Sequence, residues 1–115
     1  MRLSSLFRRQ RPGTLRTADR ADVDHLSEFA RSRRGVEAFV EPRTTVTDTT
    51  VVLVAHDGEW TRRRVASARA AHDLAGKLGI PAYDAAVVGY PARMREWTAR
   101  RARGSSDGSS PDDLD

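Results

Sequence analysis

The sequence predicts a single α+β domain, a two-layer fold in which about four strands form a mixed sheet and helices pack mainly on one face. Three observations support this prediction. Hydrophobic spacing alternates between helical and strand-like periods along residues 17–103. An Asp57-Gly58 pair joins two strand-like runs, and a helix-ending Gly79-Ile80-Pro81 precedes another. The predicted order of elements is α-β-β-β-α-β-α.

The first predicted element is a helix from about Asp19 to Arg34. Its apolar residues recur at helical spacing, so they share one face. Acidic residues near its start and arginines near its end both favour the helix dipole. Gly35 can take the left-handed conformation that ends a helix. The predicted apolar stripe consists of Val23, Leu26, Phe29 and Ala30.

The second predicted element is a strand over residues 36–42, where the spacing changes to two. The two valines and the alanine of this segment point to one face. Phe39 and the two glutamates point to the other face. Pro42 ends the ladder of hydrogen bonds because it has no N–H to donate.

A β-hairpin is predicted next. Residues 49–56 have the β-branched content of a well-buried strand. Asp57-Gly58 predicts a two-residue turn with positive φ, which returns the chain as a partner strand over Glu59–Val65. A two-residue turn would place Val52 opposite Arg63.

The partner strand carries three consecutive arginines. Arg62 and Arg64 share a face with Trp60, whereas Arg63 points the other way. A central strand would have to bury at least one of these cations, which is costly without a partner. We therefore expect this strand at or near an edge of the sheet, where it is also a candidate surface for forming a dimer.

The second half of the chain predicts a helix, a strand and a helix. Ser67 is a good N-cap for the first helix, and Gly79 ends it. Ala82–Val88 has the composition of a short strand. Pro91 occupies a first-turn position of the last helix, which is expected to run to about Arg103.

Composition excludes several classes of function. The 115 residues include no cysteine, which excludes disulfides, thiol redox chemistry, iron–sulfur clusters and Cys-ligated zinc. The longest strongly apolar run, Val51–Ala55, is far shorter than the ~20 residues of a membrane span. The basic N-terminus is not followed by the apolar stretch of a secretory signal. We therefore expect a cytoplasmic protein.

Charge divides the chain into three parts, although the net charge is only +4. Residues 1–16 carry five arginines and no acidic group, and they are expected to form a flexible basic arm. An alternative for this arm is a short helix lying on an anionic membrane surface. Residues 17–103 form the predicted domain. Residues 104–115 carry four aspartates and few apolar side chains, and they are expected to be a disordered acidic tail.

Two segments, GVEAFVEPRTTVTDTTVVLVAHDGEWTRRRV and LGIPAYDAAVVGYPARMREW, resemble those of a family of short actinobacterial proteins. The resemblance covers about Leu15 to Trp97. Members of that family are uncharacterised, and some are labelled oxidoreductases without a defined mechanism. The resemblance therefore suggests a flavin or deazaflavin cofactor as an alternative, and it supplies no catalytic or cofactor-binding residue.

The residues give this alternative little support. A nicotinamide or flavin site of the Rossmann type needs a glycine-rich turn that begins a helix. Only Gly76 and Gly79 lie close together, and they fall at the end of a helix. No cofactor is identified from the sequence.

Acid–base chemistry has one candidate cluster, the four residues His56 to Glu59. The predicted register sets His56 opposite Glu59, and a histidine beside a carboxylate can act as a general base. Hairpin tips often have this composition without catalysing anything, and that interpretation is favoured. No histidine pair has metal-ligand spacing, so we assign neither catalytic nor metal-binding residues.

Arginine density at the hairpin and at the end of the last helix is the remaining signal. Arginine recognises carboxylates and phosphates with a planar fork, and a nearby aromatic ring could stack on a base. The leading hypothesis is a non-enzymatic binding or regulatory protein that contacts an acidic protein partner. The alternative partner is nucleic acid, as RNA or the ribosome. The candidate binding residues are Trp60, Arg62, Arg63, Arg64, Arg100 and Arg101.

Overall fold

A computed structural model describes residues 20–106 of the chain. The sheet has the order β3-β2-β1-β4; β2 is antiparallel to both β1 and β3, and β4 is parallel to β1. This confirms the predicted α+β class, the four-stranded mixed sheet and the edge position of β3. The elements are helix α1 (residues 20–32), strands β1 (Glu37–Glu41), β2 (Thr50–Val54) and β3 (Trp60–Arg64), helix α2 (Ala68–Leu78), strand β4 (Ala82–Asp84), and helices α3 (Ala85–Val88) and α4 (Ala92–Ser106).

The larger apolar core lies between the sheet and helices α1 and α2. Strand β1 directs Ala38 and Val40 to this face, as its alternating pattern predicts. Leu26 and Phe29 of the predicted α1 stripe are buried against them, whereas Val23 lies at the margin with 36% of its surface exposed. The apolar residues that alternate along the strands and those at helical spacing on α1 thus lie in the same core.

Helix α2 has the two predicted caps. The Ser67 side chain accepts a hydrogen bond from the N–H of Ala70 at 3.0 Å. Gly79 has a φ of 71°, and its N–H bonds back into the last turn. Between these caps, Ala71 and Ala75 are buried in the larger core.

The opposite face of the sheet has a smaller apolar cluster. Phe39 of β1 and Val52 and Val54 of β2 form it, together with Ala85 of α3. Trp60 and Met94 pack against this cluster, so α4 crosses the face that also carries Trp60. We call this surface the α4 face of the sheet. Helices α1 and α2 therefore share one face, and α3 and α4 lie on the other, whereas the sequence predicts helices mainly on one face.

The hairpin register differs by one residue from the prediction. Val51, instead of Val52, lies opposite Arg63. The turn has three residues: the N–H of Gly58 donates to the carbonyl of Ala55, and the N–H of Ala55 donates to the carbonyl of Glu59. Asp57 lacks the positive φ that a two-residue type I′ turn would require. The shift moves the Trp60 side of β3 onto the α4 face.

The region after α2 also differs from the prediction. Only Ala82–Asp84 of the predicted strand Ala82–Val88 pairs with β1. Asp84 then caps α3 by accepting a hydrogen bond from the N–H of Ala86 at 2.9 Å. An aspartate at this position favours the start of a helix, and the apolar residues after it form α3 instead of a longer strand.

Helix α4 extends past its predicted end at Arg103 to Ser106. The predicted boundary between domain and acidic tail therefore falls within this helix. The basic arm, Asp19 and residues 107–115 lie outside the described residues. Along residues 20–106, no helix combines the length and apolar character needed to cross a membrane.

Candidate functional site

Each of the three hairpin arginines lies close to a carboxylate of the same chain. Arg62 forms a bidentate pair with Glu41, with Nε 2.9 Å from Oε1 and Nη2 3.0 Å from Oε2. Arg64 Nη1 lies 3.4 Å from Oδ2 of Asp48. Arg63 points to the other face, where its Nη1 lies 3.7 Å from Oδ1 of the Asp22 carboxylate. The hairpin charges are therefore offset within the domain.

Glu41 is the centre of a polar cluster on the α4 face. Besides Arg62, it accepts hydrogen bonds from the Thr50 hydroxyl, at 2.5 Å, and from the Tyr90 hydroxyl. Burial would raise the pKa of Glu41, but the hydrogen bonds from Arg62, Thr50 and Tyr90 outweigh burial and lower it. Burial and the bond to Glu41 raise the pKa of Tyr90. At neutral pH this cluster holds a carboxylate and a neutral phenol, and such a carboxylate is a poor general base.

Helix α4 is fixed to the hairpin by side-chain contacts with its backbone and with Trp60. Arg93 Nε donates to the Ala55 carbonyl at 2.9 Å, and Arg100 Nη2 donates to the Asp57 carbonyl at 2.9 Å. Trp60 Nε1 donates to the Thr98 hydroxyl at 2.9 Å. These three bonds are spread over two turns of α4, so the helix and the hairpin form one surface.

Gly58 permits the close approach of α4. A Cβ atom at this position would lie 2.0 Å from the Arg93 carbonyl oxygen and 2.8 Å from Cβ of Trp97. Its φ of 97° is also one that residues with side chains rarely adopt. The absence of a side chain at Gly58 therefore allows α4 to pack against the turn.

Charge on α4 differs from charge on the hairpin. The helix carries five arginines and one glutamate. Arg93 pairs with Glu37, with Nη2 2.6 Å from Oε1. Arg95, Arg100 and Arg101 have no ion pair with a carboxylate among residues 20–106. Within residues 20–106, no carboxylate therefore offsets their positive charge.

Two of the grooves that open on the α4 face bear on binding, and Tyr90 lines both of them. We call the smaller one, of about 410 Å³, the Trp60 groove. We call the larger one, of about 800 Å³, the Glu41 groove. The Trp60 groove is lined by Trp60, Tyr90, Met94, Arg95, Thr98, Ala99 and Ala102. The Glu41 groove is lined by Glu41, Pro42, Thr44, Thr47, Asp48, Thr50, Arg62, Arg64, Ala85, Ala86 and Tyr90.

Both tryptophan rings have a guanidinium group over them. The Cζ atom of Arg62 lies 5.4 Å from the centroid of the Trp60 ring. Arg101 covers Trp97 in the same way at 5.3 Å. These cation–π contacts occupy ring faces that a nucleic-acid base would need for stacking.

Sequence reasoning located part of this site. Trp60, Arg62, Arg64, Arg100 and Arg101 belong to the hairpin and α4, as proposed from their density along the chain. Arg63 points away from the α4 face, as strand alternation predicts. The sequence analysis missed Glu41, Tyr90 and Arg95 as site residues. Each of them is an isolated polar or aromatic residue that belongs to no pattern in the sequence. Only the tertiary fold brings them to the grooves.

The proposed acid–base cluster at the hairpin tip has a different arrangement from the one predicted. Glu59 forms a bidentate pair with Arg33, with Nη2 2.7 Å from Oε2, and is not opposite His56. Asp57 accepts a hydrogen bond from the Glu59 N–H at 2.9 Å, which is turn chemistry. The described residues contain no group of three His, Cys, Asp or Glu side chains able to hold a metal ion.

His25 contacts the edge strand from α1. Its Nδ1 lies 3.3 Å from Arg63 Nη2, and its Nε2 lies 2.7 Å from the Thr61 hydroxyl. Because arginine can only donate, Nδ1 accepts and Nε2 carries the proton in the neutral ring. Burial, together with Arg63 and Arg33, lowers the pKa of His25, and Asp22 opposes them. This network fixes α1 against β3.

Comparisons of the chain with protein-family models, with curated proteins and with solved structures gave no match. The resemblance to short actinobacterial proteins therefore stays a prediction. The grooves, the charges and the contacts of the α4 face are the observations that bear on function.

Proposed function

We propose that this protein is a small cytoplasmic binding or regulatory module that acts without catalysis and takes an acidic segment of a partner protein. The segment lies along α4 and the hairpin edge, with an apolar side chain in the Trp60 groove. The observation that carries this proposal is the presence on α4 of three arginines without carboxylate partners among residues 20–106, Arg95, Arg100 and Arg101, of which Arg95 lines that groove.

The arginines of α4 keep more of their positive charge than those of the hairpin. Arg62, Arg63 and Arg64 each lie near a carboxylate, so the domain itself offsets much of their field. Arg100 donates to a neutral carbonyl and Arg101 covers an aromatic ring, so both keep their full charge. Unpaired surface cations attract an acidic partner and accelerate its encounter. Helix α4 is therefore the main contact, and the hairpin supports it.

The Trp60 groove has the composition of the centre of a protein interface. Its walls combine a tryptophan, a tyrosine and a methionine with small alanines, which leave room for an inserted side chain. Aromatic and methionine side chains are enriched in the centres of protein interfaces, and arginine is enriched beside them. Arg95 lines this groove and would meet a carboxylate next to the inserted side chain.

The same geometry favours a protein over nucleic acid. Guanidinium groups cover Trp60 and Trp97, so neither ring offers a fully open platform to a base. The Trp60 groove is mostly apolar, which suits a leucine or phenylalanine side chain better than a phosphate. RNA or the ribosome, and a flavin or deazaflavin cofactor, are the competing ligands, and the same experiment tests them.

The experiment measures fluorescence anisotropy with a short labelled peptide that alternates glutamate with leucine and phenylalanine. A matched peptide has glutamine in place of glutamate, and single-stranded RNA and FMN serve as competing probes. We expect the acidic peptide to bind, and the double variant Arg95→Gln, Arg101→Gln to weaken it about tenfold through loss of two charges.

The control is the double variant Arg31→Gln, Arg69→Gln, which removes the same charge from exposed positions on α1 and α2. It should bind the acidic peptide like the native protein. Equal weakening by both double variants would show that net charge, and not the α4 surface, drives binding. Binding of RNA or FMN without binding of the acidic peptide would establish the corresponding alternative.

A further inference from the structure

The floor and the rim of the Glu41 groove differ in chemistry. The Glu41 side chain is 21% exposed, so it lies on the floor. The side chains of Arg64 and Asp48 are 60% and 68% exposed, so they lie at the rim. A volume of about 800 Å³ is within the range of small-molecule sites.

The hydrogen-bond acceptors on the floor of the Glu41 groove already have partners. Glu41 accepts two hydrogen bonds from Arg62 and one each from Thr50 and Tyr90. Four donors use the main acceptor positions of one carboxylate. A charged group on a ligand would therefore have to find its partner at the rim and not on the floor.

The rim offers one positive and one negative group side by side. Arg64 and Asp48 touch through one contact, at 3.4 Å, and both side chains are mainly in water. An exposed pair with a single long contact contributes little to stability, so a ligand can open it at small cost. After opening, the rim presents a guanidinium and a carboxylate a few ångströms apart.

The walls between floor and rim include apolar surface. Pro42 stands on one side, and Ala85 and Ala86 of α3 contribute small apolar side chains. Tyr90 also lines the groove, and its hydroxyl donates to Glu41. An apolar group of moderate size could pack there without displacing the hydrogen bonds of the floor.

We propose that the Glu41 groove binds a zwitterionic small molecule with an apolar body, of the class of a free α-amino acid with a large apolar side chain. Its carboxylate binds Arg64, its ammonium group binds Asp48, and its side chain packs against Ala85, Ala86 and the Tyr90 ring. The ligand replaces one ion pair with two.

Charge complementarity favours a zwitterion over a simple anion or cation. The groove contains two arginines, Arg62 and Arg64, and two acids, Glu41 and Asp48, so its formal charge is balanced. An anion on Arg64 would sit beside the Asp48 carboxylate that it displaced, and the two would repel each other. A cation on Asp48 would meet the same difficulty with Arg64. A zwitterion leaves neither rim group without a partner.

The experiment follows backbone amide shifts by NMR during titration of the full chain with L-phenylalanine. Two matched probes each carry one charge: N-acetyl-phenylalanine is an anion, and phenylalaninamide is a cation. We expect shifts at Asp48, Arg64 and Ala86 with L-phenylalanine, with a dissociation constant on the order of 1 mM for a ligand of this size. Each single-charge probe should bind at least about fivefold more weakly.

Variants locate the site. Arg64→Gln and Asp48→Asn should each weaken phenylalanine binding about fivefold and remove the preference over one of the two single-charge probes. Both positions are exposed, so melting temperature should change little and folding can be checked directly. The double variant Arg95→Gln, Arg101→Gln should bind phenylalanine normally, which separates this site from the α4 surface.

Two results would overturn the proposal. The first is equal binding of phenylalanine and N-acetyl-phenylalanine, because Asp48 would then contribute nothing. The second is the absence of shifts in the groove at about 10 mM phenylalanine, a concentration that would nearly saturate a site of the expected affinity. Neither result bears on binding of an acidic peptide by α4.

Discussion

Arg62 on the edge strand β3 reaches across β2 to form a bidentate ion pair with Glu41 at the end of β1. The strand between them contributes Thr50, whose hydroxyl donates to the same carboxylate. Tyr90, which precedes α4 in the chain, adds a fourth hydrogen bond. One carboxylate thus connects three strands of the sheet with the segment that leads into α4.

Replacing this carboxylate should destabilise the fold. Glu41→Gln removes the charge and half of the acceptor capacity, and it leaves Arg62, Thr50 and Tyr90 with weaker partners. Because Arg62 is partly exposed, we expect a loss of about 1–2 kcal/mol in the free energy of unfolding. Urea denaturation followed by circular dichroism measures it. Arg64→Gln removes a more exposed arginine from the same strand, and should cost less than about 0.5 kcal/mol.

Acid should reduce the difference between Glu41→Gln and the native protein. The pKa of Glu41 is lowered in the fold, so its stabilisation is complete above the unfolded value of 4.5 and is lost as pH falls through the folded value. We expect the advantage of the native protein over Glu41→Gln to be constant from neutral pH down to about 4.5 and to be lost as the pH falls further. A difference that is unchanged in acid would argue against an ionised Glu41 in the fold.

The hairpin tip should be intolerant of a single added methyl group. In Gly58→Ala the new Cβ would lie 2.0 Å from the Arg93 carbonyl oxygen, so α4 or the turn must move. We expect a loss of about 2–4 kcal/mol and a change in the near-ultraviolet circular dichroism of the two tryptophans.

Gly79→Ala is the matched control for Gly58→Ala. Gly79 also has a positive φ, but an added Cβ would have no heavy atom within 4 Å. This variant carries the conformational cost alone, about 1 kcal/mol, and the tryptophan signal should keep its native form. Equal destabilisation of the two variants would mean that α4 does not pack tightly on the turn.

Local patterns in the sequence predict most of this fold, because each depends on residues close together in the chain. The α1 stripe, the alternation of β1 and the two caps of α2 are of this kind. The hairpin register is different, since Asp57-Gly58 suits both a two-residue and a three-residue turn. The conformation of Asp57 distinguishes the two turns, because Asp57 lacks the positive φ that the two-residue turn requires.

The candidate site was less accessible to sequence reasoning. Arginine density drew attention to Arg62 and Arg64, but their carboxylate partners come from distant positions on β1 and in the loop before β2. Tyr90 lies in a short connection and shows no pattern with its neighbours. Only the tertiary arrangement reveals that the hairpin charges are offset and that those of α4 are not.

His25 should make stability depend on pH near neutrality. Its pKa is lowered in the fold, so the unfolded chain binds the proton more readily. The stabilisation by the neutral ring is therefore complete above the unfolded value of 6.5 and is lost as pH falls through the folded value. We expect the free energy of unfolding to decrease from pH 7.5 towards pH 5 by less in His25→Gln than in the native protein.

The control for His25 is His72→Gln, at an exposed position of α2 on the same side of the sheet. This variant leaves the contacts of His25 with Thr61 and Arg63 in place, so it should keep the native pH dependence. Burial and Arg63 are the main causes of the lowered pKa of His25, so Arg63→Gln should reduce the dependence. A native slope in His25→Gln would show that another group causes the pH dependence.

Salt should separate the contributions of α4 and the hairpin to binding of an acidic peptide. Raising the ionic strength from about 0.1 M to about 1 M shortens the Debye length from about 10 Å to about 3 Å, so attraction by exposed charges is largely lost. We expect the native affinity to fall steeply and that of Arg95→Gln, Arg101→Gln to fall much less. Arg64→Gln should keep the native salt dependence more closely, because Asp48 already offsets that arginine. Equal salt dependence in all three proteins would place the binding surface elsewhere.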